Sequence, residues 1–257
     1  MKVFAFALTC YAAFLLAILG GILFFAIGVD HGPSAPFVPA VAMDLALLGV
    51  FAVQHTVMAR RGFKALLKRF VPPEAERSLF VLAASASLLL VYWQWRPLPQ
   101  TVWSAGGAPA AALWVLFAAG WLTVVGSTFM IDHFDLFGLR QGWLALRRLP
   151  YTPPSFQEKW LYAHVRHPLM TGFLIALWAT PRMTFGHLLF ATASTGYIAL
   201  GVWFEERDLL REIPAYAAYR ARVGAVVPHL RRRPGLRSQD DEGVPGPRMA
   251  GGVQGPG

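Results

Sequence analysis

Charge is absent from three long stretches of the chain, Val3 to Val29, Ser78 to Trp95 and Ala108 to Ile131. Each approaches or exceeds the ~18 residues that read as a membrane-spanning helix. Three more apolar stretches lie at about 38–57, 169–180 and 187–204. The first of these holds Asp44 and ends at His55. The 169–180 stretch is too short, at about 1.5 Å per residue, to cross a ~30 Å hydrocarbon core unless 160–168 extends it. With 187–204 it therefore predicts a helical hairpin, turning at Pro181 to Gly186. The pattern is that of an all-α integral membrane protein with five to six transmembrane helices. No stretch alternates as a strand would.

Between these runs the polar segments differ in kind. Residues 132–168 carry Phe134, Phe137, Trp143, Tyr151, Phe156, Trp160 and Tyr162, too many aromatics for a solvated linker, and are expected to fold against the membrane face. Residues 205–223 predict a charged helix on which Leu209, Leu210, Ile213, Tyr216 and Tyr219 share one apolar face. From Pro234 the chain has seven glycines and four prolines in 24 residues, a composition that cannot build a packed core. One domain over 1–233, its ligand-binding part at about 160–228, and a disordered tail over 234–257 are expected.

Composition agrees with a membrane location. Hydrophobic residues make up 56% and charged residues 14%, against about 45–50% and about 25% in soluble domains; a soluble barrel or doubly wound enzyme is excluded. The first apolar run far exceeds the ~7–15-residue core of a signal peptide and reads as an anchored helix. Of the 23 basic residues, 21 fall at Lys2, in the 58–77 and 132–168 segments and after Glu205, leaving Arg96 and Arg182 opposite. Basic loops stay inside, so both termini are expected in the cytoplasm. Trp93, Trp95 and Trp103 read as an aromatic belt at the outer interface. The net charge of +9 is assigned to anionic lipid headgroups and not to nucleic acid. Cys10, the single cysteine, excludes a disulfide framework and reads as an apolar helix residue. Asp44 receives no role.

Polar groups from several segments meet at the cytoplasmic interface: His55, Asp132, His133, Asp135, Arg140, Arg166, His167, Glu205 and Glu206. Any one of them is explained as well by snorkelling or capping; their convergence is the functional signal. In Val165-Arg166-His167-Pro168 the proline opens a helix whose first N–H groups are unsatisfied, directly after an Arg and a His, which makes an anion site. Glu205 and Glu206 bring two carboxylates to the same level. Such a pair suits a zwitterionic cation, its carboxylate on Arg166 and the helix start, its ammonium or sulfonium near the glutamates. His164 and His167 lack a third ligand at metal spacing, so no metal site is expected.

Val165-Arg166-His167-Pro168-x-x-x-Gly172, followed by Glu205-Glu206-x-x-Leu209 and Tyr216-x-x-Tyr219, resembles the C-terminal signature of the isoprenylcysteine carboxyl methyltransferase superfamily of membrane enzymes. Within it, His55 to Arg60, Glu76-Arg77-Ser78, Phe134 to Gln141 and Trp178 to Ala191 are most similar to the bacterial methanethiol S-methyltransferases. The resemblance covers about residues 40–228. It implies S-adenosylmethionine as cofactor, bound around Tyr162, Arg166, His167, Pro168, Leu169, Glu205 and Glu206, and methylation of a small thiol, methanethiol to dimethyl sulfide, with membrane lipid as the other partner. Met170 stands where many members have Tyr, so an aromatic contact to the cofactor is either missing or supplied by Tyr162. Same-fold enzymes acting on an isoprenylcysteine carboxylate or a phospholipid amine, and a non-catalytic accessory protein of nitrogen-oxide metabolism, are the alternative classes.

Methyl transfer from a sulfonium to a thiolate destroys charge, so a site poor in water favours it. A thiol with a pKa of about 8.5 is mostly protonated at neutral pH, and a base or a cation must help it ionise. His133, Asp135 and His55 are the candidate acid–base groups, His133 first; Arg140 fits equally as an electrostatic holder of the thiolate.

Overall fold

The computed structural model describes residues 1–154 and 158–228. Five helices among them are long and apolar enough to cross a membrane: α1 (Lys2–Ile27), α2 (Phe37–Ala59), α4 (Pro73–Gln94), α5 (Gly107–Ile131) and α9 (Phe185–Glu212). Short helices α3 (Arg61–Leu67), α6 (His133–Leu136), α7 (Leu139–Arg147) and α10 (Tyr216–Arg222) fill the polar segments, and α8 (Pro168–Trp178) is a short apolar helix. The protein is an all-α integral membrane protein. The tail over 234–257 and Phe156 lie outside the described residues.

In the bundle α4 packs against both α1 and α2, and α5 pairs with α8. The α5–α8 contact is backbone to backbone. A Cβ on Gly172 would stand 2.7 Å from Val124 N, and one on Gly120 would stand 2.6 Å from Ala176 N. Position rises along α5 as it falls along α8, so the two run antiparallel, and one turn beyond this contact Thr128 and Pro168 reach the same level. With 11 residues, α8 extends roughly 16 Å, about half the hydrocarbon thickness, whereas the 28 residues of α9 cross it and continue beyond.

The main apolar core sits in the half of the bundle away from that level. Phe25 and Val29, Val91 and Trp95, Phe117 and Trp121, Ala176 and Leu177, and Phe190 close it from the ends of α1, α4 and α8, the middle of α5 and the start of α9. Trp95 is fully buried there, whereas Trp93 is 71% exposed, so Trp95 belongs to the core and not to the expected aromatic belt. The chain leaving α4 is latched by two acids: Asp44 accepts the Arg96 N–H at 2.8 Å and Asp30 that of Leu98 at 2.8 Å. A buried backbone N–H needs such an acceptor, which gives Asp44 the role the sequence withheld. Cys10 is buried in α1.

Two expectations are corrected. β1 (Thr101–Ser104) and β2 (Arg182–Thr184) pair antiparallel, with Trp103 opposite Met183, so the 181–186 segment is a strand as well as a turn. Runs of three and four residues are too short for alternation to register in sequence. The 205–223 helix is two helices. Glu205 and Glu206 extend the spanning α9; Pro214, with no N–H and a preference for extended conformation before it, sets Ile213 at φ −121° and ψ 103° and forces the break. Tyr216, Tyr219 and Val223 then form a small buried cluster with Leu209 and Ile213 against it.

Candidate functional site

The predicted site residues fall into three groups, and no hydrogen bond or ion pair among the described residues joins one group to another. The first is built where α8 begins and α9 passes α10. Glu206 is the centre. Its Oε1 accepts from Arg166 Nε at 2.8 Å and Nη2 at 2.5 Å and lies 3.2 Å from His167 Nε2, and its Oε2 is 3.3 Å from Arg220 Nε. Arg166 Nη1 donates to the carbonyls of Arg220 and Val223. The chain after α10 is laced along the start of α8: Arg166 N–H donates to Gly224 O at 2.8 Å, His167 N–H to Ala225 O at 3.0 Å, and the Thr171 hydroxyl to Val226 O at 2.8 Å. Tyr162 joins through its carbonyl, which accepts from the Tyr219 hydroxyl at 2.6 Å. Burial pushes the Tyr216 phenol above its ordinary value, with Glu206 adding and Arg166 opposing.

This arrangement changes the part played by Arg166. Its side chain is only 7% exposed and its guanidinium is engaged by Glu206 and two carbonyls, so it locks α8, α9 and the chain after α10 together in place of presenting an open fork. Leaving such a carboxylate unpaired in the interior would cost several kcal/mol, on the order of 3–5. The groups left open are the Glu205 carboxylate, its side chain 52% exposed and 3.6 Å from His167 Nδ1, and the first turn of α8, where the N–H groups of Leu169 and Met170 precede any intrahelical acceptor. Pro168 occupies N1. A groove of about 350 Å³ flanks the cluster, lined by Trp203, Glu206, Arg207, Leu210, Arg211 and Arg220.

The second group lies at the junction of α5, α6 and α7. Asp132 caps α6, accepting the Asp135 N–H at 3.1 Å. Arg140 donates to Asp135 Oδ1 at 2.9 Å and Thr152 O at 2.9 Å, lies 3.8 Å from Asp132 Oδ2, and stacks over Tyr151. Its charge is shared between two carboxylates. His133 is buried, stacked on Phe129 at 4.1 Å and edged by Phe134 and Phe137. Its Nδ1 is 2.7 Å from the Thr128 hydroxyl and its Nε2 is 2.8 Å from the Tyr11 hydroxyl. Burial lowers the His133 pKa below its ordinary value, with Asp132 opposing, and so favours the neutral ring. Arg77 fastens this junction to α4 by donating to Leu136 O at 2.6 Å. Gly138, at φ +85°, meets Ser78 so closely that a Cβ would stand 2.5 Å from its Oγ.

His55 stands apart. It is ringed by Phe51, Phe80 and Tyr197 between α2, α4 and α9, and its Nδ1 has no hydrogen-bond partner among the described residues. Sequence reading missed Arg220, Tyr11 and Thr128. Tyr11 had a signal: a phenol in an otherwise apolar span needs a polar partner. Arg220 and Thr128 had none. Among the described residues no group of three or more His, Cys, Asp or Glu is placed to hold a metal.

No family model and no solved structure matches the chain. The methanethiol S-methyltransferase of Mycobacterium tuberculosis is 57% identical over 202 residues, 78% of this chain and 83% of that protein. Methanethiol S-methyltransferase 2 of Bradyrhizobium diazoefficiens is 45% identical over 255 residues, 96% of each. Nurim of Mus musculus is a more distant relative, 32% identical over 179 residues, 66% of this chain and 68% of its own length. The chain belongs to the methanethiol S-methyltransferase family and is a membrane methyltransferase.

Proposed function

We propose that this protein transfers the methyl group of S-adenosylmethionine to methanethiol, giving dimethyl sulfide, at the cytoplasmic face of a bacterial inner membrane. The observation that carries the reading is the likeness over 96% of both chains to a protein named for methanethiol S-methylation, together with a site whose open groups suit a zwitterionic sulfonium. When bound, that cofactor supplies an electrophilic methyl on a positively charged sulfur.

The residues divide the remaining work. The first N–H groups of α8 favour a carboxylate through their unpaired donors and the helix dipole, and Glu205 favours the cationic end. Arg166 and Glu206 position these groups, because their ion pair ties α8 to α9 and α10. Tyr162 and His167 flank the same turn. The antiparallel α5–α8 contact brings Thr128, and with it His133, to the level of Pro168, so the candidate acid–base group and the candidate cofactor turn share one height in the membrane. Phe129, Phe134 and Phe137 pack around the buried His133 ring, and an apolar surrounding of this kind favours the joining of cation and anion. The 21 of 23 basic residues that the sequence assigns to inner segments support a cytoplasmic face for this site, where the cofactor is made.

The test is expression in a host lacking the activity, addition of methanethiol, and headspace gas chromatography. Dimethyl sulfide that depends on S-adenosylmethionine in washed membranes is the expected result. Membranes that hold the protein and form none overturn the reading.

A further inference from the structure

The hydrogen bonds of His133 fix which of its nitrogens carries the proton. Thr128 has one hydroxyl hydrogen, and its oxygen lies 2.6 Å from Val125 O, an acceptor that can only receive it. Toward His133 Nδ1, at 2.7 Å, the same oxygen must therefore accept, so Nδ1 bears the hydrogen. Nε2 is then bare, and the Tyr11 hydroxyl 2.8 Å away donates to it. Both nitrogens are occupied and one ring face is covered by Phe129 at 4.1 Å and 4°. No nitrogen of this imidazole is left unpartnered for a substrate. Tyr11, by contrast, is only partly buried, its ring stands beside Phe14, Phe134 and Phe137, and its oxygen keeps lone pairs that His133 does not use. Aromatic edges of this kind favour a small apolar sulfur compound.

We propose that Tyr11 is the catalytic residue that meets the acceptor thiol and that His133 acts through it. The inference rests on the thiol acceptor of the preceding section. The thiol S–H bond breaks and its proton bonds to the Tyr11 oxygen, while the Tyr11 proton moves to His133 Nε2; the electron pair stays on sulfur as the thiolate. The imidazolium so formed keeps its Nδ1–H bond to Thr128, has Asp132 as its charged neighbour, and after turnover hands its Nε2 proton back to the Tyr11 oxygen, which releases its own to solvent. Thr128 is a positioning residue, because it sets the tautomer that leaves Nε2 able to accept. The alternative role, a phenol that merely satisfies a buried imidazole, makes different predictions.

Tyr11→Phe keeps the ring packing and removes only the hydroxyl. The relay requires turnover at pH 7 to fall by about 10²-fold or more, the lower end of general acid–base effects, with unchanged affinity for S-adenosylmethionine. The deficit must narrow about tenfold per pH unit as solution thiolate replaces the relay. A variant as fast as wild type, or slowed equally at every pH, overturns it. A variant that is faster shows Nε2 to be the direct base, and overturns it as well. A wild type that forms no dimethyl sulfide defeats the methanethiol reading instead, and the two failures are thus distinct. Histidine-selective ¹⁵N NMR of the detergent-solubilised protein tests the geometry without turnover. His133 should show the Nδ1–H tautomer, and its titration should move upward in Tyr11→Phe, because a hydrogen bond donated to the neutral ring is lost. The opposite tautomer, or a titration that does not move, overturns the relay.

Discussion

Replacing Gly172 by alanine tests how the bundle places the site. The added Cβ would stand 2.7 Å from Val124 N, 2.8 Å from Gly120 O and 2.9 Å from Val124 Cγ2. Two of these three atoms are helix backbone and cannot swing aside. Contact becomes ordinary only near 3.4 Å, so α8 must withdraw from α5 by about 0.7 Å, the gap between 2.7 and 3.4 Å. Overpacking of this kind costs about 1–3 kcal/mol. The larger consequence lies one turn away, because Pro168 and His167 ride on the same short helix. A misplacement of about 1 Å can lower a rate 10²-fold; Gly172→Ala is therefore expected to lose one to two orders of magnitude in turnover and to weaken cofactor binding, with the protein still inserted. Gly126→Ala is the control. It lies on the same α5 with nothing within 4 Å of its new Cβ, and alanine there gains up to about 1 kcal/mol of helix propensity. The assay pairs thermal unfolding in detergent with dimethyl sulfide production. Equal rates and melting temperatures for Gly172→Ala and Gly126→Ala would refute the claim that α5–α8 backbone contact positions the site.

Three further outcomes are expected. Arg166→Ala leaves Glu206 buried with less compensation and should destabilise the protein by about 3–5 kcal/mol, read as a loss of thermal stability that appears without cofactor; a change confined to cofactor affinity in calorimetric titration would return Arg166 to a purely ligand-binding role. Because burial holds the His133 pKa below 6.5, the fold favours the neutral ring: its contribution to stability is complete above 6.5 and is lost as pH falls through the lowered folded value. Stability measured between pH 7.5 and 5 should thus decline more in wild type than in His133→Gln, and parallel curves would contradict the burial. A periplasm-dependent reporter fused after Arg233 should stay silent while a cytoplasmic one is active; the reverse would overturn the orientation read from the basic residues.

The membrane class and the helix positions were legible in the sequence because both depend on local quantities. A run of about 18 residues without charge needs no partner to identify it, and α1, α4 and α5 match the three charge-free runs closely. Glu205 and Glu206 were legible as a pair, as was the short α8, whose length follows from Pro168 and the turn after it. What the paired groups do was decided only by tertiary structure. Arg166 reads in sequence as an open anion fork, yet its partner Glu206 is 40 positions away and closes it. Trp95 reads as interfacial until Phe24 of α1 and Phe190 of α9 pack on it. The protonation geometry of His133 depends on Tyr11, 122 positions earlier and on another span. Hydrophobic periodicity reports which face of an element is buried; it carries no term for which distant side chain arrives at that face, and hydrogen-bond partners and tautomers are set by that arrival.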